Sequence, residues 1–405
     1  MSLAIKNGTI FFQGRFDHKD ILIGDDGRIA KIGNSLSLEG ANEPEQIIDA
    51  TGLLVLPGLI DPHVHLREPG ATQKEDFTTG GRAAIAGGFT TVMDMPNNTI
   101  PTTTKARYEE KKKLAKKALC DIIIHFGASA DNFDEVKKTD PPSLKLYMGL
   151  TTGELVIRDK SAIEKHFALF PKERPIVVHA ADNDPNEAKN LAATYDNTEF
   201  ALTLAKKHSR RVHLAHASTG KEITMAKKNP NATVEVAPHY LFLSSKDAES
   251  LGATTYGKVY PPLRSEQQRI VLWKYLEQAD CIATDHAPHT IEDKEKGAAG
   301  FPGLETSLSL MLDACDKGLT DKIWVAERMT ERVADAFNLK DRGRLGVGSR
   351  GDITIVDPKL AWTVSGSELE TKCKWSPFEG RELKGKTVTV VKGGEIIYLE
   401  GEFQK

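Results

Sequence analysis

Residues 58–94 read GLIDPHVHLREPGATQKEDFTTGGRAAIAGGFTTVMD and contain two short apolar or β-branched runs, each typical of a buried strand. Such runs start near Leu59, Thr90, Ile122, Leu144, Ile176, Val212, Thr233 and Cys281. Most are followed by helix-like stretches, such as 105–119, 201–208 and 266–276. Eight strand candidates spaced by about 32 residues fit a repeated strand–helix unit. We predict an α/β fold, a (β/α)8 TIM barrel. An open doubly wound sheet is the alternative, but no GxGxxG follows an early strand.

Both ends of the chain have a different pattern, typical of β-structure. Residues 3–33 are short apolar runs broken by Asn7-Gly8 and Asp26-Gly27, a hairpin signal. Residues 352–357, 387–391 and 395–399 repeat this pattern around Gly393-Gly394. Because neither end could bury an apolar face alone, we predict one small β-sandwich domain built from both. The predicted division is 1–52 plus 348–405 for the β-sandwich, and 53–347 for the barrel.

Composition excludes several classes of protein. The 405 residues hold 54 Lys plus Arg against 57 Asp plus Glu, so a net charge of −3 gives no global attraction to nucleic acid or an anionic membrane. The four cysteines are far apart and form no CxxC pair, which argues against a disulfide scaffold or a cysteine zinc site. We see no signal peptide and no run of apolar residues long enough to span a membrane. The expectation is a cytoplasmic protein that acts on a small molecule.

Active-site residues of such a barrel lie at the carboxyl ends of its strands. On the first strand His63, His65 and Arg67 share one face, because side chains two apart on a strand project together. An HxH pair can chelate one ion, although the pair alone is a weak signal. The fourth strand holds Lys145 between two leucines. That lysine either reaches the barrel mouth or, neutral through burial, reacts with CO₂ to give a carbamate that bridges two metal ions.

Three later strands also end in metal-type residues. The fifth ends at His179, the sixth carries His216 on one face with Val212 and Leu214, and the eighth ends with Asp285. By the same alternation, His213 is predicted to face the surrounding helices and His286 to support the site. Each histidine alone could be an ordinary core or surface residue. Six ligands at five strand ends, most with nitrogen donors and the others with hard oxygen donors, favour two zinc-like ions. This pattern predicts a binuclear metal hydrolase.

These segments resemble the cyclic amidohydrolases of the amidohydrolase superfamily, and within them the dihydroorotase group. The motifs that carry the resemblance are DPHVHLREPG at 61–70, MPN at 95–97, KLY at 145–147, HA at 179–180, HAST at 216–219, PPLR at 261–264 and TDHAPH at 284–289. The resemblance implies that His63, His65 and Asp285 bind one Zn²⁺ and that His179 and His216 bind a second. It also implies that Lys145, as N6-carboxylysine, and a hydroxide bridge the two ions.

The choice of substrate depends on fewer residues. Dihydroorotases are similar to this chain in following HxH with Leu-Arg, whereas hydantoinases and dihydropyrimidinases usually have an acidic residue and allantoinases a small one at position 67. A guanidinium suits a substrate carboxylate, which a neutral hydantoin lacks. The alternative role of Arg67 is a surface salt bridge with Glu68 or Glu75. Asn97 and His289 complete the implied carboxylate pocket, and Thr151 resembles the threonine of a loop that covers substrate.

The resemblance implies the reversible interconversion of N-carbamoyl-L-aspartate and L-dihydroorotate in pyrimidine synthesis, with Asp285 as acid and base. The alternatives are another cyclic amidohydrolase, or a non-catalytic paralogue acting as a binding subunit, although such copies typically lose ligands that this chain retains. A homodimer is expected by analogy with the family. Whether the chain associates with a carbamoyltransferase is left open by the sequence.

Overall fold

The computed structural model describes residues 2–36, 44–149, 153, 155–182, 184 and 186–404. The strands are β1 Leu3–Phe12, β2 Arg15–Ile23, β3 Ile29–Gly33, β4 Gln46–Asp49, β5 Leu54–Pro57, β6 Leu59–Val64, β7 Phe89–Asp94, β8 Asp121–Ile124, β9 Phe126–Gly127, β10 Leu144–Tyr147, β11 Ile176–His179, β12 Val212–Leu214, β13 Ala232–Val236, β14 Cys281–Ile282, β15 Ile353–Thr363, β16 Glu382–Lys392, β17 Glu395–Leu399 and β18 Glu402–Phe403. The helices are α1 Phe77–Ala86, α2 Lys105–Ala115, α3 Phe133–Thr139, α4 Lys160–Leu169, α5 Glu187–Lys207, α6 Gly220–Lys227, α7 Pro238–Phe242, α8 Ser245–Leu251, α9 Glu266–Tyr275, α10 Ile291–Glu295, α11 Ser307–Asp316, α12 Lys322–Arg328 and α13 Glu331–Phe337.

The middle of the chain forms the predicted (β/α)8 barrel. Strands β6, β7 and β8 pair in parallel, and so do β9 to β14 in chain order. One barrel strand is interrupted at His125, which separates β8 from β9. A parallel bridge between Val64 and His286 joins the last strand to the first and closes the barrel. All eight predicted strands are therefore confirmed.

Side chains of the barrel strands alternate between two apolar cores. Leu144 and Leu146 of β10 lie in the large core that the barrel shares with its helices. Val177 of β11 lies in a smaller cluster that also contains Met93 of β7 and Phe337 of α13. Residues of the second kind point into the barrel, so Lys145, between the two leucines, points inward as well. This alternation directs the chemically active side chains to the barrel axis.

The two chain ends meet in one nine-stranded sheet of the described residues, in the order β18-β17-β16-β15-β5-β1-β2-β3 with β4 beside β1. Residues of this sheet form a core of their own that contains Ile5, Ile23, Val55 and Ile353. The turn at Gly27 packs so closely on the β16–β17 turn that an added Cβ would lie 2.2 Å from the carbonyl oxygen of Gly393. This is the β-rich domain predicted from the chain ends. The division at 52/53 and 347/348 stays a prediction.

One hairpin signal in the first domain is wrong. The predicted turn at Asn7-Gly8 is an irregularity inside β1, where the register with β2 shifts, and the actual turn lies at Gln13-Gly14. The Asn7 backbone N–H donates to Asp20 at 2.9 Å and its side-chain amide donates to Asp49 at 3.0 Å. These tertiary contacts hold Asn7 at a φ of +62° without reversing the chain.

Among the described residues, none of the helices combines the length and apolar composition that a membrane span requires.

Candidate metal centre and substrate pocket

Two histidines from the end of β6 and an aspartate after β14 form a buried cluster. His63 Nε2 and His65 Nε2 lie 3.4 and 3.2 Å from Asp285 Oδ1. One ligand atom from each of the three residues lies within 4.8 Å of the other two, as in a metal site. Burial, reinforced by nearby cations, lowers the pKa of both imidazoles, so both are neutral as metal ligands must be.

The outer nitrogen of each histidine meets a side chain that orients the ring. His63 Nδ1 lies 2.5 Å from Glu235 Oε1, and His65 Nδ1 lies 2.8 Å from Asn97 Oδ1. Both imidazoles therefore carry the proton on Nδ1 and turn the Nε2 lone pair to the cluster. Burial opposes the charge of Glu235, but its contacts with His63 and His213 outweigh that and hold its pKa well below the usual range.

Glu235 was not identified in the sequence, although a signal existed. It is an acidic residue inside the apolar strand β13, the same pattern that drew attention to Lys145. Besides His63, it accepts hydrogen bonds from the backbone N–H of His216 at 3.0 Å and from His213 Nε2 at 2.9 Å. One carboxylate thus connects three strands beneath the site.

The prediction that His213 faces the surrounding helices is wrong. Its ring contacts Phe337 of the inner cluster at 4.9 Å between centroids, and its nitrogens bind Glu235 and Thr233. The alternation cannot be extended to His216, because β12 ends at Leu214 and His216 is not a strand residue. A φ of +38° at His216 turns the chain and brings its ring to the site.

The second pair of histidines meets as predicted. His179, at the end of β11, places Nδ1 2.8 Å from His216 Nε2. The ring of His216 also lies 5.1 Å from that of His63, so the two histidine groups are adjacent. The Nδ1 of His286 accepts the N–H of Gly303 at 3.1 Å, and its supporting role stays a prediction.

Three residues of the site have left-handed backbone conformations. The φ angles are +63° at Arg67, +38° at His216 and +49° at Asp285. Such angles cost side chains with a Cβ roughly 1–3 kcal/mol each and cluster at functional sites, where surrounding contacts maintain them. The strain lies in loops that follow three different strands, where it accompanies the placement of Arg67 in the cavity wall, Asp285 beside His63 and His65, and His216 beside His179.

Lys145 lies close to both histidine groups, because its charge contributes to lowering the pKa values of His63, His65 and His216. Its amine is fully buried and has no hydrogen-bond partner in the part of the chain that the structure describes. Burial lowers its pKa to about 8, against the opposing charges of Glu235 and Asp285. A buried amine without a partner fits conversion to a carbamate, whose oxygens would take metal ions between the histidines. The donor set as a whole suits two zinc-like ions.

A cavity of about 350 Å³ opens beside this cluster. Its wall includes His65, Arg67, Lys74, Asn97 and His289. Arg67 is buried; its Nε donates to the carbonyl oxygen of Pro288 at 3.0 Å, and its Nη2 lies 3.0 Å from His289 Nε2. Burial lowers its pKa to about 10, so the guanidinium stays charged at neutral pH.

The alternative role of Arg67 as a surface salt bridge is wrong. Glu68 pairs with Lys117 at 2.8 Å, and Glu75 accepts the hydroxyl of Thr371 at 2.5 Å. Arg67, Asn97 and His289 all line the cavity, and their binding of a substrate carboxylate stays a prediction. Thr151 lies outside the described residues.

The loop that carries Asn97 is fixed by a buried ion pair. Lys111 of α2 lies 2.7 Å from Asp94 Oδ2 and donates to the carbonyl oxygen of Met95 and to Asn98, each at 2.7 Å. Asp94 also accepts the N–H of Leu66 at 2.8 Å, between His65 and Arg67. The pair therefore fixes the ends of β6 and β7 relative to each other.

Comparison with known proteins agrees with this geometry. A family model described as "Amidohydrolase family" matches residues 54–397. The chain belongs to the amidohydrolase family. It is 38% identical to a dihydroorotase of Thermococcus kodakarensis, over 97% of this chain and 95% of that protein. It is also 38% identical to the multifunctional protein CAD of Squalus acanthias, over 86% of this chain and 15% of that protein.

Solved structures with the same fold include hydantoinases. An L-hydantoinase (dihydropyrimidinase) from Arthrobacter aurescens superimposes with a TM-score of 0.92 at 28% identity, covering 100% of this chain and 97% of that one. A dihydropyrimidinase from Brevibacillus agri gives a TM-score of 0.89 at 25% identity, covering 100% and 96%. The predicted fold and family are thus confirmed.

Proposed function

We propose that this amidohydrolase is a dihydroorotase, which interconverts L-dihydroorotate plus water and N-carbamoyl-L-aspartate. The observation that carries the proposal is a buried guanidinium, Arg67, in the wall of the cavity beside the histidine cluster. A charged group in that place is costly unless an anion meets it, and the dihydroorotate ring carries a carboxylate. The dihydroorotases among the chain's relatives support the same reading.

The proposed metal ligands fall into two sets. His63, His65 and Asp285 would hold one divalent ion, His179 and His216 a second, and Lys145 as N6-carboxylysine would lie between them. Bound ions of this kind acidify a water and polarise the scissile carbonyl. Zinc and a count of two per chain are part of the proposal, as the nitrogen-rich donor set favours zinc.

The protein's own side chains perform the remaining steps. Arg67, with His289 and Asn97, binds the substrate carboxylate and orients the ring with its amide towards the cluster. Asp285 accepts the proton of the attacking water and delivers it to the ring nitrogen as the amide bond breaks. Glu235 and Asn97 keep the imidazoles of His63 and His65 in place throughout.

A second candidate follows from the structural neighbours, several of which are hydantoinases. Their named substrates are neutral rings without the carboxylate that Arg67 would bind, so Arg67 favours dihydroorotate. A non-catalytic role is disfavoured because all six proposed ligands are present. Ultraviolet loss of the ring, followed for dihydroorotate, hydantoin and dihydrouracil on one preparation, separates these candidates.

Replacing Arg67 by methionine is the matching prediction. We expect kcat/KM for dihydroorotate to fall by about 10- to 100-fold, mainly through KM, because a hydrogen-bonded charge pair with the carboxylate is lost. Metal content should not change. Arg67→Lys, which keeps the charge but not the two-pronged geometry, should recover part of the loss. Loss of metal in Arg67→Met would instead make the residue structural.

The remaining proposals concern assembly and the division into domains. We propose a homodimer, which light scattering would test. Association with a carbamoyltransferase is suggested by the multifunctional relatives, in which the matched region is a small part of a longer chain. We also retain the division into a β-domain of 1–52 plus 348–405 and a barrel of 53–347.

A further inference from the structure

Lys74 lies in the wall of the proposed carboxylate pocket, on the loop between β6 and α1, and has no part in the mechanism above. Its Nζ is 3.3 Å from His289 Nδ1 and 3.3 Å from Asp293 Oδ2. The side chain is 20% exposed and lies between His289 of the pocket wall and Asp293 of α10. An ammonium group has only donors, so Lys74 can meet His289 Nδ1 only where that nitrogen has a free lone pair.

The other nitrogen of His289 has two neighbours with opposite requirements. His289 Nε2 lies 3.0 Å from the carbonyl oxygen of Ala299, which can only accept, and 3.0 Å from Arg67 Nη2, which can only donate. A neutral imidazole has one donor and one acceptor. The tautomer with its proton on Nε2 satisfies both Lys74 and Ala299. The other tautomer satisfies Arg67 alone.

The ring is neutral in this setting. Burial, followed by the charges of Arg67, Lys74 and Lys294, holds the pKa of His289 far below its ordinary value. A doubly protonated ring is therefore excluded at neutral pH, and the choice lies between the two neutral tautomers.

We propose that Lys74 is a positioning residue that fixes His289 as the Nε2–H tautomer and so keeps an N–H of Arg67 available for the substrate carboxylate. This rests on the proposed function of the pocket. In the Nε2–H form, the Nε2 nitrogen of His289 has no free lone pair. It therefore cannot accept the N–H of Arg67 in competition with the substrate carboxylate. Without Lys74, the Nδ1–H form becomes competitive, and its Nε2 lone pair would accept the Arg67 N–H that the substrate needs.

The test compares Lys74→Met with Lys74→Arg and with Lys296→Met, which removes an exposed lysine just beyond α10. In Lys74→Met we expect KM for dihydroorotate to rise about 10-fold with kcat within about two-fold, the cost of one hydrogen bond to a charged group. Lys74→Arg, which keeps a donor, and Lys296→Met should stay near wild type. In the Arg67→Met background, Lys74→Met should have almost no further effect, since both act on one contact.

The direct readout is the ¹⁵N spectrum of histidine-labelled enzyme, which distinguishes the two tautomers, with His289→Gln to assign the signal. We expect Nε2–H in the wild type and a shift to Nδ1–H in Lys74→Met. An Nδ1–H ring in the wild type, or an unchanged ring in Lys74→Met, overturns the proposal. Absence of dihydroorotate turnover in the wild type would refute the proposed function instead, and the spectra would still decide the role of Lys74.

Discussion

Replacing Lys145 by alanine is expected to remove most of the activity, by about 100-fold or more, because the proposed bridge between the two metal positions is lost. Metal per chain should fall in the same sample, measured by elemental analysis. The barrel itself should persist, because the amine makes no hydrogen bond among the described residues and alanine fits an inward strand position. Short carboxylic acids added to the assay should restore part of the rate by replacing the carbamate.

Lys160→Ala is the control for Lys145→Ala, since it removes an exposed lysine at the start of α4. It should behave as the wild type in rate and metal content. The carbamate itself can be observed by ¹³C NMR after incubation with labelled bicarbonate, with a signal that Lys145→Ala lacks. Full metal content and rate in Lys145→Ala would show that the residue bridges nothing.

The second large effect is expected for Asp285→Asn. The amide cannot accept the proton of the attacking water, so kcat should fall by about 100- to 10 000-fold, the range for loss of a general acid–base group. The measurement is kcat for dihydroorotate at saturating substrate, with metal content on the same protein. Asparagine retains one oxygen at the ligand position, so metal content should fall less than activity does. A fall in kcat that exceeds any fall in metal content shows that Asp285 transfers the proton.

Asp61→Asn provides a matched control in the same region. Asp61 is fully buried, and burial raises its pKa to about 8, so its carboxyl group is mostly protonated at neutral pH. It hydrogen-bonds to Thr284 and to the backbone of His63, contacts that an amide can reproduce. We expect this variant to keep most of its activity. Asp285→Asn with a rate within tenfold of wild type would contradict the assigned role.

The sequence predicted the barrel because its signal is repeated. Each strand is a short apolar run followed by a helix, and eight repeats at one spacing make single errors unimportant. The site followed from the same logic, since carboxyl ends of barrel strands converge. His63, His65 and Asp285 accordingly form one cluster, and the pair of His179 and His216 lies next to it. Lys145 is close enough for the charge of Asp285 to influence its pKa. That all six bind metal stays a prediction.

The errors concern places where tertiary contacts override local pattern. Val212, His213 and Leu214 do alternate along β12, with the two apolar residues in the large core, but the alternation cannot be extended to His216 because the strand ends at Leu214 and the backbone turns at His216. Asn7-Gly8 has the composition of a turn, yet contacts with Asp20 and Asp49 keep it inside a strand. Glu235 was missed because one acidic residue in a strand indicates a partner without identifying it, and its partner His63 is far away in sequence.

We propose that this chain hydrolyses dihydroorotate at a binuclear metal site. The most direct test is metal per chain by elemental analysis on protein purified without chelator, with the dihydroorotate assay on the same sample. We expect about two zinc ions per chain, one for each proposed ligand set, together with turnover. No metal, and no rate after zinc and bicarbonate are added, would contradict it.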